Sequence, residues 1–106
     1  MTGDLLSGSG LDRALEIVSD RHRRLVLLEL RAGRVGDVSD VLLRGGDSER
    51  ERTALEHQHL PKLADAGYVE WDRETGHLER GPNFGEVEPL VDLLARHADD
   101  LPTEWP

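Results

Sequence analysis

The feature that most restricts the fold is a single change of hydrophobic period at Gly67. Before it, apolar residues recur at helical spacing. After it, Tyr68-Val69-Glu70-Trp71-Asp72 alternates as a strand, Glu74-Thr75-Gly76 makes a turn, and His77-Leu78-Glu79-Arg80 returns antiparallel. Gly81-Pro82 closes the hairpin. A lone two-stranded hairpin is at best marginally stable in water, so this one must pack on helices.

The helices are legible from spacing and punctuation. Leu11, Ala14, Leu15 and Val18 predict a first helix. Ser19 or Asp20 caps a second, from Arg21 to about Arg31, with Leu25, Val26, Leu28 and Leu30 apolar over a wide arc and Gly33 as its stop. Asp37 is a candidate N-cap for a short helix from Val38 to Leu43, with Val38, Val41 and Leu42 facing inward, and Gly45-Gly46-Asp47 turns the chain. Ser48-Glu49-Arg50-Glu51 reads as a capping box opening the longest helix, which runs to about Ala66. Pro61 lies inside it, lacks an amide donor and clashes with the carbonyl of His57, predicting a kink or break across residues 57–61. A last amphipathic helix is expected from Val87 to Ala98, with Val87, Leu90, Val91, Leu93 and Leu94 on one face.

Residues 1–10 are Gly- and Ser-rich and read as a flexible segment, 11–98 as one domain, and 99–106 as an irregular tail. The order helix, helix, short helix, turn, long helix, hairpin, helix is mainly α with a small β-hairpin, the winged helix-turn-helix plan. In that plan the helix after the turn enters the major groove, roughly 12 Å wide, and the hairpin follows the adjacent backbone.

The segment Leu60-Pro61-Lys62-Leu63-Ala64-Asp65-Ala66-Gly67-Tyr68-Val69-Glu70 resembles the end of the recognition helix and first wing strand of ArsR-type winged-helix regulators, in its His59-Leu60, Leu63, Gly67 and Tyr68-Val69. His57-Gln58-His59-Leu60-Pro61-Lys62-Leu63 is similar to a signature of small haloarchaeal winged-helix domains of unassigned function. The opening Leu11-Asp12-Arg13-Ala14-Leu15-Glu16 and Ser19-Asp20-Arg21-His22-Arg23-Arg24 fit the first helices of that family, so the resemblance covers about residues 11–80. It implies a cytoplasmic, dimeric, DNA-binding regulator. Pro61 and the acidic balance depart from the bacterial pattern.

Charge bears directly on that expectation. The 106 residues carry 22 Asp and Glu against 13 Lys and Arg, of which Lys62 is the lone lysine, for a formal charge of −9. Near-exclusion of lysine with surplus acid suits a protein kept soluble in molar salt, where the Debye length is only ~3 Å. The charge is polarised. Arg21, Arg23, Arg24, Arg31 and Arg34 face only Glu29 across residues 21–35, while residues 81–106 carry six acids and a single arginine, Arg96. The early arginines are expected to touch DNA flanks or to pair with acids of the last helix across a dimer contact.

On the long helix, Leu55, His59, Leu60 and Leu63 point inward, while Arg50, Ala54, His57, Gln58 and Pro61 point outward. Gln58 suits an adenine edge, and Arg50 and Arg52 suit guanine or phosphate. The candidate DNA contacts are Arg50, Arg52, Thr53, His57, Gln58 and Lys62 on the helix and Arg73, His77 and Arg80 on the hairpin, although Asp72, Glu74 and Glu79 nearly cancel the hairpin's charge. The candidate dimer face comprises Leu11, Leu15, Leu90, Leu93, Leu94 and His97.

Other chemistry is not expected. Without cysteine there is no disulfide, thiolate metal site or thiol catalysis. His57 and His59 diverge by about 200° on a helix and do not chelate together, and His97 with Asp99 or Asp100 is too loosely spaced to argue a metal. No nucleophile–base pair, phosphate loop or carboxylate pair stands in context, so neither enzyme nor cofactor is expected. MTGDLLSGSG has no basic stretch followed by an apolar run, and no apolar stretch approaches a membrane span, so a cytoplasmic protein is expected. Two functions remain: a homodimeric regulator of double-stranded DNA acting through residues 48–62 and the hairpin 70–80, or a winged-helix module that has exchanged DNA for a protein partner. Asp47, Glu49, Glu51, Glu56 and Asp65 motivate the second.

Overall fold

The computed structural model describes residues 9–33, 36–37 and 49–101. The domain is mainly helical with one small antiparallel sheet. The expected helix Val38 to Leu43, the turn at 45–47, Ser48 of the capping box, and Arg34 lie outside the described residues.

Helix α1 (Ser9–Val18) turns Ala14, Ile17 and Val18 into the core and leaves Leu11 and Leu15 in solvent. Helix α2 (Arg21–Ala32) is the centre of the domain. Of its expected apolar arc Leu25, Val26 and Leu30 are buried and Leu28 is half-buried, and Leu27 is buried with them. Asp20 caps it by accepting from the amides of His22 and Arg23, and Gly33 ends it at φ 73° in the left-handed region where a Cβ is costly.

The long helix is divided by its proline. Helix α3 (Glu49–Ala54) passes into a π turn (Leu55–His59), and α4 (Leu60–Asp65) follows. The amide of Leu60 reaches back five residues to the carbonyl of Leu55. That slip of one residue puts Pro61 at the start of a fresh α segment, where its missing amide is tolerated. The expected kink thus takes the form of a π turn. Leu55, His59, Leu60 and Leu63 are buried as expected, and of the outward set Arg50, His57 and Gln58 are exposed while Ala54 and Pro61 are half-buried.

Gly67 (φ 78°) stops α4 in a Schellman arrangement, with its own amide on the Ala64 carbonyl at 2.9 Å and the Tyr68 amide on Leu63 at 3.1 Å. Strand β1 (Val69–Trp71) pairs with β2 (Leu78–Arg80), Val69 opposite Arg80 and Trp71 opposite Leu78. The Asp72 carboxylate accepts from the amides of Glu74 and Thr75 and shapes the turn. Asp37, read from sequence as the cap of a helix that lies outside the described residues, bridges to His77, and the Leu78 amide donates to the Gly36 carbonyl. Residue spacing carries no trace of this contact with the sheet edge.

Helix α5 (Phe84–Arg96) begins three residues before its expected start because the turn at 81–83 feeds straight into it. Phe84, Val87 and Val91 are buried, Leu90 and Leu94 half-buried, and Leu93 exposed, so the predicted single face divides. A short 3-10 turn (Ala98–Asp100) follows. Among the described residues no helix is long and apolar enough to cross a membrane.

Candidate nucleic-acid interface

Helix α3 with its π turn lies beside the hairpin turn. Arg52 and Glu56 on the helix face Arg73, Glu74, Thr75 and Gly76 across an open polar cleft that Asp37 also lines. Arg50, Thr53, His57 and Gln58 stand in solvent along the same helical stretch. Arg52 is 3.6 Å from Glu56 one turn on, and the Arg73 guanidinium lies 4.8 Å over the Trp71 ring. His77, at the hairpin, is 3.2 Å from Glu79. Of the nine expected DNA contacts, Arg52 and Arg73 line this cleft, while Arg50, Thr53, His57, Gln58 and His77 are exposed on the helix and the hairpin.

The remaining two are engaged within the fold. Arg80 donates from Nε to the Leu30 carbonyl at 3.2 Å and from Nη2 to that of Arg31 at 3.0 Å, closing the C-terminal end of α2. Its guanidinium also covers the Phe84 ring at 4.7 Å. Lys62 Nζ is 2.9 Å from the Glu16 carboxylate on α1. Three of the early arginines are engaged in the same way. Arg23 donates to the carbonyls of Ile17 and Glu16, and Arg24 to that of Val18, so two cations serve the C-terminal end of α1. Arg31 meets Asp92 of α5, so the expected pairing with the last helix is made within one chain.

The helix–hairpin face is not basic. Arg50, Arg52 and Arg73 are matched by Glu49, Glu51, Glu56 and Glu74.

A second constellation was not foreseen. Asp20, His22 and His59 come within 4.8 Å of one another where the start of α2 meets the π turn. The two imidazoles stack, with centroids 5.3 Å apart and planes 12° apart. The Asp20 carboxylate is 3.7 Å from His22 Nδ1 and 3.6 Å from His59 Nδ1. Arg23 Nη1 lies 3.1 Å from His59 Nδ1, and a guanidinium only donates, so that nitrogen carries the lone pair. With that lone pair taken and the rings nearly parallel, the two histidines are not disposed to converge on one ion. His59 faces inward from its helical spacing, but its partners lie 36 residues away in sequence, where no local pattern announces them.

Burial holds the His59 imidazole below its ordinary value; the nearby charges of Arg23, His22 and Lys62 push the same way and Asp20 opposes them. Burial raises the Asp20 carboxyl, but the amides of Arg23 and His22 and the charges of His59 and Arg23 outweigh it, so it lies below the usual carboxylate range.

Leu11, Leu15 and Leu93 are 62%, 47% and 46% exposed and are the large exposed apolar side chains among the described residues. Gly10, Leu11, Ala14, Pro89, Leu90 and Leu93 line a shallow apolar groove between α1 and α5, with Glu86 at its border. His97 is exposed at the end of α5, 3.6 Å from Asp100.

The molecule is thus a small mainly helical domain whose hairpin flanks a proline-interrupted helix. It belongs to the family described as Domain of unknown function (DUF7344), whose model matches residues 15–79. No curated protein and no solved structure matches the chain.

Proposed function

We propose that this domain is a winged helix-turn-helix transcriptional regulator that binds double-stranded DNA. The observation that carries the proposal is the shared face of α3, the π turn and the hairpin, where Arg50, Thr53, His57 and Gln58 are exposed beside a cleft lined by Arg52 and Arg73. A helix fills a major groove while a ribbon reaches the flanking phosphates. Arg80 and Lys62 are removed from the contact set because the fold already uses them.

The test is a titration of labelled duplex DNA over a salt series reaching molar concentrations, with Arg50→Ala and Gln58→Ala alongside the natural chain. Sequence-selective binding that the two substitutions weaken, each by roughly 1–3 kcal/mol for a base-edge contact, supports the reading. Absence of binding at every salt refutes it. The surplus of acid and the single lysine suit a halophilic cytoplasm, where counterion release contributes little and direct contacts must dominate.

The domain acts in this reading as a homodimer through α1 and α5. Leu11, Leu15 and Leu93, with Leu90, Leu94 and His97 beside them, form the apolar face that a two-fold contact would cover. Leu93→Asp converts a sedimenting dimer to monomer if this is so, and a natural chain that is monomeric at all concentrations removes the dimer. One observation favours a second function, a protein-binding winged helix: the face that would meet DNA carries four glutamates to three arginines. Selective DNA binding through Arg50 and Gln58 excludes it.

A further inference from the structure

We propose that the Arg23–His59 contact is a proton-operated latch fixing the helix that carries Arg50, Thr53, His57 and Gln58. Its consequence for DNA rests on the function proposed above; the latch itself does not.

The latch follows from which atoms are able to donate. Neutral His59 accepts from Arg23 through Nδ1, so its proton sits on Nε2. Protonation at Nδ1 would set two cationic donors 3.1 Å apart inside the fold. Arg23 is not free to withdraw, being buried and held at 2.8 Å by the Ile17 carbonyl and at 3.0 Å by that of Glu16. His59 therefore has to move, and a new partner is close by: the Asp20 carboxylate lies 3.6 Å from the same nitrogen. Protonation exchanges Arg23 for Asp20 and turns the ring toward the start of α2.

The surroundings favour the neutral ring at pH 7. His22 stacks on it, Lys62 of α4 lies nearby while bonded to Glu16 of α1, and Glu51 of α3 is 3.6 Å from His22 Nε2. Burial and the cations outweigh Asp20, so His59 charges only below 6.5, its ordinary value. A group depressed on folding supports the fold above its unfolded value, and that support is lost as pH falls through the folded one. The part that yields is the π turn holding His59, whose hydrogen bonds are less regular than those of an α-helix.

The test is a pH titration of the whole chain by NMR, following the imidazole nitrogens of His59 together with the amides of α3 and the π turn. The expected result is an Nε2–H tautomer at pH 7 and a midpoint below 6.5, with the amides of residues 49–59 moving at that same midpoint. Titration of His59 at or above 6.5, or titration that leaves those amides still, overturns the latch. His59→Asn, whose side-chain oxygen can accept from Arg23 at every pH, abolishes the amide transition; a transition that persists in a folded His59→Asn chain also overturns it. Should that variant not fold, the titration of the natural chain decides alone. If only the neutral form binds DNA, affinity falls about tenfold one pH unit below the midpoint, and His59→Asn removes the fall. A latch seen by NMR in a chain that binds no DNA at any pH refutes the DNA reading and leaves the latch standing.

Discussion

Replacing Arg80 separates two roles that make opposite demands. From sequence this side chain is a wing contact to phosphate; in the structure it closes the C-terminal end of α2. The last carbonyls of a helix have no helical partner, and a cation there gains ~0.3–1 kcal/mol from the helix dipole. Arg80 adds two charge-assisted bonds, at 3.2 and 3.0 Å. Such bonds reach ~1.5–3 kcal/mol when shielded, but the side chain is 46% exposed, which argues for the lower part of that range or below. Its position over Phe84 contributes ~0.5 kcal/mol, and the 3.4 Å contact with Glu88 is an exposed pair of little consequence.

Together these give about 2 kcal/mol lost in Arg80→Ala, a fall of roughly 10 °C in Tm for a domain of this size. Arg80→Lys keeps the charge and loses the forked geometry, so it should recover less than half of the loss. Thermal unfolding by circular dichroism measures the stability, and a DNA salt titration measures the slope. A phosphate contact would behave otherwise: unchanged Tm, a salt slope reduced by about one, and near-complete rescue by lysine. That second pattern would refute the capping argument.

Two further outcomes follow from packing and titration. A Cβ on Gly81 would stand 2.8 Å from the Val69 nitrogen and against the Gly67 backbone, neither of which can rotate away, so Gly81→Ala should cost at least ~1–3 kcal/mol in urea unfolding. Gly85, in the first turn of α5 with open space around it, should instead gain ~0.5–1 kcal/mol as alanine; equal effects at the two sites would contradict this geometry. Tyr68 is the single tyrosine, so alkaline absorbance titration reports it directly. Burial raises its phenol above 10.0, helped by the Glu86 carboxylate that accepts its hydroxyl at 2.9 Å. The neutral phenol's support for the fold is then complete below 10.0 and lost as pH rises through the folded value; a midpoint at or below 10.0 would count against the buried placement.

Several exposed side chains of the helix before Gly67 were legible because helical spacing decides which residues look outward. Arg50, His57 and Gln58 are exposed and Leu55, His59, Leu60 and Leu63 buried, as their positions imply. Less legible was what each charged group would touch. Arg80 and Lys62 have the composition of DNA contacts, yet their partners, the carbonyls at the end of α2 and Glu16, lie far away in sequence. The same holds for Asp37, whose bridge partner His77 lies forty residues away in sequence.

The sequence by itself determined the order of the described elements, the stops at Gly33 and Gly67, a cap at Ser19 or Asp20, the hairpin, and the disturbance at Pro61. Each depends on a few neighbouring residues and on the local limits of the backbone. Only the tertiary structure decided that the disturbance would be a π turn, that the early arginines would serve helix ends and α5, and that His59 would meet Arg23, Asp20 and His22. Those outcomes depend on which helix ends and side chains are brought together once α2 is enclosed. Local spacing has no access to that distance, and in this domain it is where the charge is assigned.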